Sequence, residues 1–208
     1  MSVKCVIWDW NGTLLDDTTA ALNAFNRQLV KRSLEPIGLD FYRENFAFPV
    51  KPFYAKCGIE LEREDWDQLA KEYHLAYAEE AKALHREARA ALETLKSRGV
   101  RQYVLSALRQ DLLEKAMEEY ALGGYFVRVM GVDNLDGSSK LERAKELVSE
   151  IAASAEEIVF IGDALHDAEV ARAVGARCVL AATGGHSAAR LKSAGPTVNT
   201  LSEAVNMI

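Results

Sequence analysis

Asp9 closes a run containing Val3, Val6, Ile7 and Trp8, and Asn11-Gly12-Thr13 follows it. β-Branched and aromatic residues at that density suit a buried strand. Asn-Gly is a strong turn pair, because both residues tolerate positive φ. Asp9 is therefore expected at the carboxyl end of a buried strand, the end at which open α/β sheets bind ligands. A carboxylate there serves as nucleophile, as metal ligand or as a local cap of the turn. Two more apolar runs end on polar residues: Tyr103-Val104-Leu105 on Ser106, and Ile158 to Ile161 on Gly162-Asp163-Ala164-Leu165-His166-Asp167. Lys140 opens a helix behind the polar stretch 133–139. Strand ends of one parallel sheet lie together, so Asp9, Ser106, Asp163 and Asp167 can converge from distant positions. Three carboxylates would repel one another, and a hard divalent cation with oxygen ligands, Mg²⁺ beside phosphate, relieves that repulsion. The Ser106 hydroxyl and the Lys140 charge suit the oxygens of a phosphoryl group in transfer. Asp9 itself can attack phosphorus.

The elements that must position these groups alternate along most of the chain. Asp16-Asp17-Thr18 is a helix N-terminus, and Leu22, Phe25 and Leu29 recur at helical spacing over about 17–33. An irregular aromatic stretch, 41–58, carries Pro49 and Pro52, and a long helix is expected over about 61–83. No strand is expected between about 16 and 87. From about 87 the pattern changes. A helix stops at Gly99, followed by strand 100–105, helix 109–121, strand 125–130, helix 139–153 and strand 157–161. Helix 166–174, strand 177–181, a helix near 187–194, a short strand at Val198 and a last helical turn complete the chain. Such alternation means βαβ units and a parallel sheet covered on both faces. The expected architecture is α/β, a Rossmann-like parallel-sheet core (1–15 and 88–208) with an inserted all-helical cap domain (16–87).

Bulk properties exclude several classes. The chain has 208 residues, and its 25 basic and 31 acidic residues give a net charge of −6. An acidic balance without a large Lys/Arg cluster argues against general nucleic-acid binding. Three widely spaced cysteines, Cys5, Cys57 and Cys178, include no Cys-x-x-Cys, so no zinc site or disulfide framework is indicated. No signal peptide and no apolar run of membrane-spanning length is evident, which points to a cytoplasmic protein without membrane contact, as a monomer or homodimer.

Taken together, Asp9-Trp10-Asn11-Gly12-Thr13, Ser106, Lys140 and Gly162-Asp163 with Asp167 resemble, in order, the four motifs of the haloacid dehalogenase superfamily. The 97 positions separating Asp9 from Ser106 match members with a helical cap between the first two motifs. The chain looks closest to phosphoglycolate-phosphatase-like members. The resemblance implies an Mg²⁺-dependent phosphatase acting on a small phosphorylated metabolite through an aspartyl phosphate. In that scheme Asp9 is nucleophile and metal ligand, the Asn11 main-chain carbonyl binds the metal, and Asp163 binds it directly with Asp167 assisting. Ser106, Ala107 and Lys140 hold the phosphoryl oxygens, and Lys140 also neutralises Asp9.

One departure matters. Phosphatases of this superfamily normally carry a second aspartate two residues after the nucleophile, as acid and base; here Asn11 stands there. An amide cannot exchange a proton at useful pH, and losing positioned acid–base help costs roughly 10²–10⁴-fold. The chain then reads as a slow phosphatase, or one for good leaving groups. Other readings are an acid–base group elsewhere (the cap, Asp17 or His166), a phosphomutase or phosphotransferase, and a non-catalytic phosphate-ligand sensor or scaffold. Asn11-Gly12 is also a deamidation sequence. Arg109, three residues after Ser106, is a candidate phosphate or carboxylate contact, and Lys51 a candidate for a second anionic group. The stretch 46–54 is the candidate substrate wall, with aromatic packing between cap helices as its alternative. Trp8 and Trp10 are expected to pack. His74 is expected to be structural, and His85 carries no assigned role. His166 is expected at a helix start or on the surface, and His186 is expected to begin a helix.

Overall fold

The structure, a computed structural model, describes residues 2–133 and 140–208. The polar stretch expected before Lys140, from Asn134 to Ser139, lies outside the described residues. The chain runs β1 (Cys5–Trp8), β2 (Leu15–Asp16), α1 (Thr18–Lys31), α2 (Leu39–Asn45), α3 (Lys51–Lys56), α4 (Trp66–Glu79), β3 (Ala83–Leu84) and α5 (Ala88–Ser97). It continues with β4 (Arg101–Arg109), α6 (Gln110–Glu119), β5 (Arg128–Val132), α7 (Lys140–Glu150), β6 (Ile158–Gly162) and α8 (Leu165–Ala173). The last elements are β7 (Arg177–Ala181), α9 (Ala188–Leu191), β8 (Thr197–Val198) and α10 (Leu201–Asn206).

Six strands form one parallel sheet in the order β5-β4-β1-β6-β7-β8. β1 is central; Asp163 follows its neighbour β6, and Ser106 lies in its neighbour β4, which runs to Arg109 beyond the expected end at 105 through a register shift after Leu105. Side chains alternate across a strand, so β1 serves two cores. Val6 and Trp8 pack with α5, α6 and α10, while Cys5 and Ile7 pack with α7 and α8. A Trp8 Nε1 bond to Gln102 Oε1 (3.0 Å) satisfies the one polar atom this strand buries on the first face. Trp10 is buried in the same core.

The helical insert folds around a third core of its own, Phe25, Leu29, Tyr42, Phe53, Tyr54 and Leu69 among them. Two corrections apply here. The irregular stretch contains α2 and α3, which are short helices whose mixed aromatic composition hides helical periodicity. The segment expected to lack strands begins and ends on one: β2 and β3 pair antiparallel, Leu15 with Leu84 and Asp16 with Ala83, where the chain leaves the sheet domain and returns. Strands of two residues are too short for alternation to register. Strand β5 also begins later than expected, because Gly123–Tyr125 is a 3₁₀ turn. Among the described residues no helix is long and apolar enough to cross a membrane.

Candidate active site

The turn after β1 is tight because its backbone is saturated. The Asp9 N–H donates to the Ile161 carbonyl (2.8 Å), tying the end of β1 to β6, and the Trp10 carbonyl accepts from Leu14 (3.0 Å) and Leu15 (2.9 Å). Gly12 has φ +75°, and a β-carbon there would collide with the Asp163 carboxylate. Glycine is thus required twice, by conformation and by space. Gly184 closes the other side: a β-carbon on it would strike Asp163 and the Gly12 carbonyl. Asp163 sits between these backbones, accepting from Gly185 N–H (2.5 Å) and Thr13 Oγ1 (3.2 Å).

Lys140, 4% exposed, opens α7 and reaches across to the sheet. Its ammonium donates to Asp9 Oδ1 (2.6 Å) and Asp167 Oδ1 (2.7 Å). Asp167 also accepts from the Ala164 N–H (3.0 Å) through Oδ2, so both its oxygens are committed. Oxygens of Asp9, Asp163 and Asp167 lie within 4.8 Å of one another. Burial, together with the Asp167 charge, pushes the Asp9 carboxyl up to about 7 against the pull of Lys140. Burial and the two neighbouring carboxylates raise Asp163 as well. Burial opposes the Lys140 charge, but Asp167 and Asp9 outweigh it and the net shift is upward. Fully ionised, three carboxylates against one ammonium would carry two net negative charges in a site shielded from water. That donor set fits a hard divalent cation.

Asn11 is gripped from the insert. Its Nδ2 donates to Asp17 Oδ2 (2.8 Å) and to Tyr77 Oη (3.1 Å), and the Tyr77 hydroxyl donates to the same Asp17 oxygen (2.5 Å). Asp17 is the N-cap residue of α1, yet it makes no capping bond; its Oδ1 accepts from the Gly12 N–H (2.7 Å) instead. Burial raises the Asp17 carboxyl, opposed by the Tyr77 and Asn11 bonds. The Asn11 Oδ1 faces Ser106 Oγ at 3.4 Å, and that hydroxyl accepts the Leu108 N–H (3.0 Å). His85 and Thr183 both donate to the Gly12 carbonyl, at 3.2 and 2.9 Å. A carbonyl only accepts, so His85 carries its proton on Nε2 there.

Above this floor lies a cavity of about 190 Å³. Asp9, Asn11, Ser106, Ala107, Lys140, Asp163 and Asp167 line one end, and side chains of the helical insert line the other. Two candidate contacts lie elsewhere. Arg109 is exposed and forms a two-bond pair with Asp111 (2.5 and 2.7 Å), outside the cavity lining. The Lys51 ammonium sits 4.7 Å over the Trp66 ring, also outside the lining. Both substitute a local partner for a distant anion. His186 does not begin a helix: it is buried, its Nδ1 accepts the Leu165 N–H (3.0 Å), and Ser187 caps α9. His74 and His166 both line the cavity.

Sequence reasoning passed over Tyr77, His85 and Gly184. Tyr77 lies in the helix expected over about 61–83, where an aromatic residue is read by default as packing. His85 and Gly184 act on backbone atoms of the turn, which no spacing rule exposes.

Comparison with known proteins agrees with this geometry. Residues 6–181 match the family described as haloacid dehalogenase-like hydrolase. A phosphoglycolate phosphatase of Pseudomonas fluorescens is 26% identical over 186 residues, spanning 85% of this chain and 68% of that one. One from Aquifex aeolicus is 24% identical, spanning 88% and 86%. Among solved structures, a haloacid dehalogenase-like family protein from Streptococcus pneumoniae superposes with a TM-score of 0.84 at 17% identity, covering 99% of this chain and 98% of that one. A hydrolase from Pseudomonas syringae gives 0.78 at 20% identity, covering 98% and 96%. At these identities the structural likeness establishes the fold.

Proposed function

The chain belongs to the haloacid dehalogenase-like hydrolases, and on that footing we propose that it is an Mg²⁺-dependent phosphatase of a small phosphorylated metabolite. The phosphoglycolate phosphatases similar to it support a phosphoric monoester as the substrate class. The observation that carries the reading is the buried cluster of Asp9, Asp163, Asp167 and Lys140 at the carboxyl edge of the sheet, opening into a cavity.

Asp9 is the nucleophile. Lys140 holds its Oδ1 and so fixes the orientation of the carboxylate. Asp9 attacks phosphorus, the bond to the leaving oxygen breaks, and the phosphoryl group rests on Asp9 until water removes it. Ser106, with the backbone that follows it at Ala107, and Lys140 lie where phosphoryl oxygens would be held and their developing charge met. Asp9, the Asn11 carbonyl and Asp163 would hold Mg²⁺; Asp167, occupied by Lys140 and Ala164, serves from behind. When bound, the cation neutralises phosphoryl charge and polarises phosphorus for attack.

Asn11 favours a second reading. Without a proton-exchanging group two residues after Asp9, water attack on the phosphoenzyme is slow. Slow water attack suits a phosphotransferase or phosphomutase, which hands its phosphoryl group to a second hydroxyl, and it suits a sensor that holds a phosphorylated ligand. Phosphate release from acetyl phosphate and a panel of monoesters, with and without Mg²⁺, separates these. A phosphatase releases phosphate without an acceptor, and Asp9→Asn lowers the rate by more than about 10³-fold. Turnover only with an added sugar acceptor would favour transfer. Mg²⁺ binding with no turnover would favour the sensor.

A further inference from the structure

We infer that the cavity is built for a phosphate monoester whose leaving group is a single aromatic ring joined through a phenolic oxygen and carrying no second anionic group. This rests on the phosphatase reading of the same site and narrows its substrate.

The walls sort sharply by chemistry. Opposite the carboxylates, the cavity is lined by Phe25, Phe46, Phe48, Phe53, Trp66 and Tyr73. Phe46 already meets Phe48 and Phe53 edge to face, with centroids 5.4 and 5.5 Å apart. A further ring entering this cluster finds faces and edges in the arrangements that aromatic pairs prefer. The volume leaves room for no more than one ring beside the phosphoryl group: a dry apolar cavity of roughly 150 Å³ holds benzene, and this one measures about 190 Å³ with its ionic end included.

Charge excludes the small dianionic alternative. Lys140 is the only lysine or arginine among the described residues that line the cavity, and Asp9 and Asp167 already hold it. The nearby cations are committed elsewhere. Arg43 donates to the Gly184 carbonyl (3.1 Å), Arg190 to the Phe46 and Arg43 carbonyls (2.6 and 3.0 Å), and Lys51 covers Trp66. A substrate carboxylate placed against these rings would lose its hydration with no uncommitted lysine or arginine to meet it, which is costly.

Asn11 points the same way, independently of the walls. Asp9 attacks phosphorus, and the P–O bond to the ring oxygen breaks with its electron pair leaving on that oxygen as phenolate. Water then attacks the phosphorus on Asp9, the P–O bond to Asp9 breaks, and its electron pair returns to the carboxylate. The hydroxyl of that water stays on phosphate, and its second proton ends on the phenolate. A phenol ionises near pH 10, as the tyrosine side chain does, so this leaving group departs without the acid that position 11 lacks. An alkoxide does not.

The test compares kcat/KM for phenyl phosphate, benzyl phosphate, phosphoglycolate and acetyl phosphate. Phenyl phosphate is expected to exceed phosphoglycolate at least tenfold. Benzyl phosphate, which yields the same phosphoenzyme, should fall well below phenyl phosphate in kcat/KM, because its alkoxide must leave without an acid. Phe48→Arg, on a half-buried loop position, should lower the phenyl-to-phosphoglycolate ratio at least tenfold by setting a cation among the rings. Should that variant misfold, Phe48→Ala should still raise KM for phenyl phosphate several-fold. If acetyl phosphate is hydrolysed while phosphoglycolate equals or beats phenyl phosphate, the phosphatase reading stands and the aromatic substrate falls. The aromatic substrate falls equally if neither Phe48 variant moves the ratio or KM. If no substrate, acetyl phosphate included, releases phosphate, both fall together.

Discussion

The two ends of the cavity are held by different forces. The floor is ionic: Lys140 lies between Asp9 and Asp167, and Asp163 is boxed in by the backbones of Gly12 and Gly184. The roof is a cluster of rings, with Phe25 against Phe53 and Tyr54 at 4.9 Å and Tyr42 stacked on Phe46 at 4.8 Å. In the proposed function the floor defines the reaction, because its charge and hydrogen-bond geometry would fix where a phosphoryl group is attacked. The roof defines what may be attached to it. Among the polar connections between them, Asn11 through Asp17 to Tyr77 ties the floor to α4. Removing the floor's charge is the strongest way to separate the two. Lys140→Met should cut kcat by roughly 10²–10³-fold, the usual loss for one charge-stabilising donor, while KM for an aromatic ester moves little. A matching rise in KM would mean that floor and roof do not divide the work.

The converse experiment empties the roof. Phe25, 2% exposed, is central to the insert's own core. Phe25→Ala should destabilise the insert by about 3–5 kcal/mol, read by urea denaturation monitored at the tryptophans and by hydrogen exchange. Protection in β1, β4 and β6 should persist, because their cores share no buried residue with the insert's cluster. Loss of protection in both regions together would make the molecule one cooperative unit and end the contrast.

The same contrast explains what the sequence made legible. The floor residues are charged or hydroxylic, and Asp9, Ser106 and Asp163 stand at the ends of apolar runs while Asp167 and Lys140 stand in the first turns of helices, a placement with few structural explanations. Asp9, Ser106, Lys140, Asp163 and Asp167 therefore stood out, and so did the parallel sheet that gathers them. Aromatic residues at helical spacing look the same whether they face a core or a cavity, so the spacing of Phe25 did not reveal the cavity it lines. Arg109 and Lys51 were chosen for charge alone, and each found a nearer partner in Asp111 and Trp66. Asp17 read as a helix N-terminus and as one alternative acid–base group; the fold turns its carboxylate toward Asn11 and Gly12.

Position 11 offers a smaller but more specific test. An aspartate there would place a carboxylate about where the Asn11 amide now lies 2.8 Å from Asp17. Two carboxylates so close share one proton, which supplies the missing donor. Asn11→Asp should raise kcat/KM for benzyl phosphate by about 10²-fold and change that of phenyl phosphate far less. Equal gains on both esters would remove leaving-group departure as the step that Asn11 limits. Deamidation of Asn11-Gly12 would produce the same residue, so intact mass of the Asn11 peptide is measured alongside.

The smallest effect is thermodynamic and belongs to the floor alone. In the metal-free native protein Asp9 keeps its proton up to about pH 7, whereas the unfolded chain releases it near the ordinary aspartate value of 3.8. Over that interval the native state binds more protons than the unfolded state, so stability is fully present below the unfolded value and falls as pH rises. Asp163, shifted in the same direction, adds to the fall. A divalent cation that replaces those protons should reverse it. At ten times its dissociation constant a ligand adds about 1.4 kcal/mol, or roughly 3–6 °C in Tm for a chain of this size. That increment should be full at pH 8 and shrink toward pH 5, where protons compete for the same oxygens. Calorimetric scans with and without Mg²⁺ at both pH values measure it, and Asp163→Asn should flatten both the pH slope and the Mg²⁺ response. An Mg²⁺ increment independent of pH would place the cation away from these carboxylates, and the floor would then owe its charge balance to protons.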